Sequence, residues 1–243
     1  MDKNLINEET SPQEVSDVNN PSLQNINNLG TVNIPEQKQN IHILTVIGHI
    51  EGHMTSPPQN KATKYEHIIP QLVAVEDNPD IEGMLIVLNT VGGDVEAGLA
   101  LSELINSLSK PKVSLVLGGS HSIGVPLATA ADYSFIAPSA TMTIHPIRMN
   151  GLVIGVPQTF RYFSKMQDRI VDFIARTSKI SRETVLELMN STDELANDVG
   201  SILVGKEAVD NGLINEVGGL DVAMNKLREL IKKKKENNNT QVH

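Results

Sequence analysis

The chain has no cysteine and no tryptophan among its 243 residues, and only 3% of it is aromatic. Without cysteine there are no disulfides, no thiolate metal sites and no thiol nucleophile, a usage that fits a reducing compartment. With so few rings, the core must come from Leu, Ile, Val, Ala and Met. The 40% apolar content supplies enough of them. Basic charge is also short, with 20 Lys+Arg against 29 Asp+Glu and a formal net charge of -9. That balance argues against nucleic acid as a partner, because binding a phosphate backbone needs clustered Lys and Arg. No stretch reaches the roughly 20 apolar residues that span a bilayer. The opening MDKNLINEET has no apolar segment behind a basic start. The expectation is a cytoplasmic protein with no membrane span.

Residues 1–40 differ from the rest. They are rich in Asn, Gln, Glu and Ser, carry Pro12, Pro21 and Pro35, and show no sustained apolar period. Such a segment buries too little surface to offset its ordering entropy, which predicts a disordered tail. Residues 41–231 are expected to form one folded domain. Residues 232–243 read as a basic and polar tail, opening with the Lys232–Lys235 run at a helix end.

Within the domain, apolar runs and helical periods alternate. Ile41–Ile50, Met84–Leu88, Val113–Leu117, Tyr133–Ile136 and Met142–Ile144 predict strands. MLIVL is apolar throughout, as in a strand covered on both faces. Helical spacing predicts helices over 62–77, 95–108, 124–131, 157–176 and 182–189, with Pro70 near a start or a kink. The fold class is α/β, built of strand–helix units around a mostly parallel sheet. Ligands of such folds sit beyond the carboxyl ends of the strands.

Two turns at those ends are rich in Gly and Ser. Asn89-Thr90-Val91-Gly92-Gly93-Asp94 joins a strand to a helix, and its paired glycines allow unobstructed backbone amides. Such donors suit a developing oxyanion, although a plain Gly-Gly turn gives the same pattern. No Gly-Lys-Ser/Thr follows, so the turn is not a phosphate loop. The second turn is Gly118-Gly119-Ser120-His121-Ser122-Ile123-Gly124. Ser120 and Ser122 are either helix caps or, for Ser122, a nucleophile with the Ile123 amide aimed at the oxyanion. The α/β-hydrolase elbow does not apply, because Ser stands at 120 where that motif needs Gly. A base is available in His145, at the end of a predicted strand and 23 residues beyond Ser122, or in the adjacent His121.

From about His42 to Gly219 the chain resembles the Clp protease proteolytic subunit family, on an ordered set of motifs. GHIEGHM lies at the first strand, NTVGG stands for the family's NSPGG, and SHSIG for its ASMG. MTIHP then stands for MIHQP, and KEAVDNGLINEV for EEAxxYGLID. Ser122 lies 29 residues beyond Gly93, the family's own spacing. The altered NTVGG turn and the extra residues around Thr55–Lys64 make it most similar to the family's divergent translocation-enhancing branch. The resemblance implies a Clp protease/crotonase-like fold of repeated ββα units with a protruding strand–helix handle. It also implies a serine endopeptidase with Ser122 as nucleophile, His145 as general base, and the Gly93 and Ile123 amides as oxyanion hole. The family's third residue, an Asp, aligns with Gly200. Asp198 is the preferred substitute, with Asp193 and the neutral Asn197 as neighbours.

The resemblance further implies peptides or unfolded proteins as substrates and a homo-oligomer of seven-membered rings, either single or two stacked. It also implies an AAA+ unfoldase partner, since no nucleotide motif lies in the chain. Phe160, Phe163, Met166, Ile170 and Phe173 form a helical stripe that serves either the core or a ring contact. No cofactor is indicated, because His42, His49, His53 and His67 lack ligand spacing. Three other classes remain beside the peptidase. One is a catalytically weak or inactive scaffold, which Gly200 suits. The second is a crotonase-type acyl-CoA enzyme. The third is a Ser–Lys signal-peptide peptidase, opposed by the lack of lysine between Lys112 and Lys165.

Overall fold

The structure, a computed structural model, describes residues 40–148, 154–192 and 199–240. The polar N-terminal segment expected as a tail, and Asp193, Asn197 and Asp198, lie outside the described residues.

The β-branched run at the domain start forms β1 (Ile41–Glu51), and a three-residue strand β2 (Ala62–Lys64) pairs with it in parallel. The sequence predicts helix from Ala62. Instead, the Thr63 hydroxyl accepts from the Ile47 amide and donates to the Ile47 carbonyl, both at 2.9 Å. Those bonds hold this stretch extended, so helix α1 begins only at Tyr65 and ends at Asp77, with Pro70 inside it.

Two buried parallel strands follow, β3 (Gly83–Gly93) and β4 (Lys112–Ser120), separated by α2 (Val95–Ser107). Met84, Leu85, Ile86 and Leu88 of β3 and Val113, Leu115 and Val116 of β4 have no exposed surface, as their unbroken apolar runs predict. After β4 come the short helix α3 (Gly124–Thr129), β5 (Tyr133–Ile136) and β6 (Thr141–Ile144). Then follow the long α4 (Val156–Thr177), α5 (Arg182–Asn190) and β7 (Ser201–Val204). The chain closes with α6 (Lys206–Asp210), β8 (Glu216–Val217) and α7 (Leu220–Thr240).

The strand order β2-β1-β3-β4-β5-β8 is parallel throughout. β6 leaves that path, pairing with β4 through Gly119 and Thr141 and antiparallel with β7. One face of the sheet packs on α1 to α5 in the larger core cluster. The other face meets α7 through Ala223, Leu227 and Ile231, spaced four residues apart. The protein is therefore α/β with a parallel-dominated sheet. α7 does not end at the Lys232–Lys235 run but passes through it. Lys233 pairs with Glu229 one turn back, and Lys235 reaches Glu82.

The apolar stripe of α4 divides. Met166, Ile170 and Phe173 are buried, whereas Phe160 keeps 72% of its surface exposed. Arg169 grips Glu96 with both guanidinium nitrogens, at 2.7 and 3.0 Å, and Arg176 bonds Glu103 at 2.6 Å. These pairs seat the second half of α4 on α2. The first half carries its apolar side chains outward.

Candidate active site

Parallel β3 and β4 end side by side, so their terminal turns meet. The β3 turn is fixed from both ends. Thr90 donates its hydroxyl to the Gly48 carbonyl at 2.6 Å and accepts from the Gly92 amide at 3.0 Å. Asp94 then caps α2 by accepting from the Ala97 amide at 2.8 Å. Gly93 has φ +155°, and a Cβ there would lie 2.2 Å from the Ile50 carbonyl oxygen. Only glycine permits this close passage of β3 against β1.

At the end of β4, Ser122 is held at φ 56°, the one non-glycine residue with positive φ among the described residues. Bulky L-residues avoid this left-handed conformation, and it recurs where an active site holds a side chain on a sharp turn. The turn has the bonds to hold it. The Ser122 amide donates to the Thr143 carbonyl at 2.8 Å, and the His121 amide to the Thr90 carbonyl at 3.1 Å. Gly92 packs directly behind, since a Cβ on it would come within 2.8 Å of the Ser122 Cβ. The Ile123 N–H, at the start of α3, has no hydrogen-bond partner among the described residues.

β6 delivers His145 to the same place. A cavity of about 130 Å³ is lined by Ser122, Ile123, Gly93 and His145, with Val95, Val125, Ile144, Ile170 and Met189 as apolar walls. The structure thus brings four of the sequence-derived candidates to one cavity. Among the described residues no hydrogen bond joins the Ser122 hydroxyl to His145, the contact that a proton transfer between them would need. Such contacts commonly tighten only when substrate is bound.

The His145 ring is engaged on its other side, with Nδ1 2.7 Å from the Pro146 carbonyl oxygen. A carbonyl can only accept, so Nδ1 carries the proton and, in the neutral ring, Nε2 is the unprotonated nitrogen. His121 is not among the residues that line the cavity. Its Nδ1 lies 2.9 Å from the Thr143 hydroxyl, and its pKa is pushed below the usual histidine range by burial and by the nearby His145.

Gly200, where the family resemblance expects a carboxylate, packs its backbone on His145. Its φ is +137°, and a Cβ there would meet the Ile144 carbonyl oxygen at 2.4 Å and the His145 Cβ at 2.8 Å. No side chain fits there. Asp198 and Asp193 lie outside the described residues. Sequence reasoning missed Thr143, which bonds both the Ser122 amide and the His121 ring. Its signal was its spacing, two residues before His145 and on the same strand face. Among the described residues, no group of three or more His, Cys, Asp or Glu side chains is placed to hold a metal ion.

Comparison with known proteins agrees with this architecture. The family model for Clp protease matches residues 37–220. The translocation-enhancing protein TepA of Halalkalibacterium halodurans is 63% identical over 212 residues, covering 87% of this chain and 83% of that one. The ATP-dependent Clp protease proteolytic subunit of Leuconostoc citreum is 25% identical, over 67% of this chain and 79% of its own. A proteolytic subunit 1 of Chlamydia muridarum is 28% identical over 55% of this chain and 69% of its own.

Proposed function

Because the chain belongs to the Clp protease family, we propose that it is a serine endopeptidase acting through an acyl-enzyme on Ser122. The observation that carries this reading is Ser122 itself, held at φ 56° on the cavity that His145 also lines. In the proposed reaction His145 Nε2 takes the Ser122 proton as Oγ attacks the scissile carbonyl carbon. The Gly93 and Ile123 amides receive the oxyanion, and Nε2 returns the proton to the departing amine. Water then repeats the sequence on the ester and releases the second product. The apolar cavity walls support a peptide or unfolded-protein substrate.

The same reading includes a ring-shaped homo-oligomer. Phe160, Val156 and Ile154 are 72%, 72% and 80% exposed on and beside the first half of α4, an apolar face that calls for a partner. ATP dependence appears in the names of the more distant relatives. Here we assign it to a separate AAA+ unfoldase, since this chain carries no nucleotide motif.

A fluorophosphonate probe tests the chemistry. Labelling of the wild-type protein that disappears in Ser122→Ala supports the peptidase. A second reading, a non-catalytic assembly scaffold, is favoured by Gly200 and by the unmade Ser122–His145 hydrogen bond. A well-folded oligomer that never labels would establish the scaffold and remove the enzyme.

A further inference from the structure

A serine nucleophile served by histidine needs something to hold the imidazole in the tautomer that leaves Nε2 free. A carboxylate usually does this, and the position where this family would place it is closed. Gly200 at φ +137° has no room for a Cβ, because the Ile144 carbonyl and the His145 Cβ already occupy that space. Its amide donates to the Ser191 carbonyl at 2.8 Å, which keeps the glycine backbone against the histidine.

We propose that the backbone carbonyl of Pro146 takes the place of the third group, accepting the Nδ1–H of His145 and fixing it as the base for Ser122. The proposal rests on the peptidase reading given above. Its geometry is local and stiff. His145 precedes a proline, which restricts its backbone to extended conformations, and the Pro146 ring locks the next φ. The Nδ1–O distance of 2.7 Å is that of a well-formed hydrogen bond. Gly200 packs on the Cα and Cβ of the same histidine, so its backbone is pinned while its ring reaches the carbonyl.

The substitution has a chemical consequence. A carbonyl selects the correct tautomer as well as a carboxylate does, but it offers a dipole rather than a full negative charge to the imidazolium. The proton still moves from Ser122 Oγ to Nε2 and then to the leaving amine, with Nδ1 protonated throughout. Tautomer selection is kept and part of the charge stabilisation is given up, which predicts slow acylation. Pro146 is thus a positioning residue acting through His145.

The test weakens the carbonyl without changing a side chain. Replacing Ile147 by its α-hydroxy acid turns the Pro146 carbonyl into an ester carbonyl, a poorer acceptor. The expected result is a roughly threefold to tenfold slower fluorophosphonate reaction at Ser122. The same replacement at exposed Met54 should leave the rate unaltered. In parallel, nitrogen NMR of ¹⁵N-histidine protein, with His145 assigned by its loss in His145→Gln, should show Nδ1 protonated and Nε2 bare in the neutral ring. An unchanged rate in the Ile147 ester, or an Nε2-protonated ring, overturns the proposal while the peptidase reading stands. A hundredfold loss in Asp193→Asn or Asp198→Asn, with the ester harmless, would give the role to that carboxylate. Failure of the unmodified protein to react at Ser122 would remove the peptidase reading and this proposal together.

Discussion

Ser122 combines two demands that conflict in free energy. Its amide must reach the Thr143 carbonyl, and its side chain must face the cavity, and together these force φ to 56°. A left-handed conformation costs an L-residue about 1–2 kcal/mol, a cost that glycine escapes. Ser122→Gly is therefore expected to be more stable than Ser122→Ala by about 1 kcal/mol, with neither reacting with the probe. Urea unfolding of the two variants checks this, and equal midpoints would mean the turn is unstrained. Ser122 was legible from sequence as a candidate because a Gly-rich strand–helix turn with Ser at its end is a side-chain pattern. The hydrogen bond from His145 to the Pro146 carbonyl was not. A backbone carbonyl has no residue type of its own, so no sequence pattern points to it, and the carboxylate expected at Asp198 lies outside the described residues.

At the scale of elements, most of the fold could be read from periodicity. Five predicted strands appear at or within two residues of their expected starts, because short β-branched and apolar runs bounded by turn residues are a strong local signal. Ala62–Lys64 was missed because its extended form depends on Thr63 bonding Ile47, a contact 16 residues away in sequence. The long helix α4 shows the opposite limit. Its stripe is one continuous pattern, yet Phe173 is buried in the core while Phe160 stands 72% exposed. Periodicity fixes which face is apolar and says nothing about what covers it. Phe173→Ala is expected to cost about 3–5 kcal/mol of stability through the cavity it leaves. Phe160→Glu should leave unfolding of the protomer within about 0.5 kcal/mol of wild type and lower the assembly state. Light scattering on both variants separates the roles. A Phe160→Glu protein of unchanged molar mass would sink α4 as an assembly surface.

Across the whole molecule, titrating groups couple the site and the core to pH. His42 is pushed below the usual histidine range by burial, and its Nε2 is buried with no hydrogen-bond partner among the described residues. His121 is lowered by burial and by His145. In the unfolded chain these rings take up protons near their ordinary pKa of about 6.5, while in the folded protein they resist. The unfolded state thus binds more protons in that window, and stability must rise with pH through it. Above about pH 6.5 the folded state keeps its full advantage, and below it the advantage falls until the folded rings also titrate. A second, lower step comes from carboxylates. Glu76 is held below its usual range first by its hydrogen bond with Ser109, and Glu82 first by its bond to Lys235. Their contributions are present above the ordinary glutamate pKa and are lost as pH falls through their depressed folded values. Two separated losses are therefore expected on acidification, and His42→Gln should flatten only the upper one. Urea titrations between about pH 7.5 and 5.5 read that slope directly. An upper step of undiminished size in His42→Gln would mean that the buried ring is not what the folded protein protects from protonation.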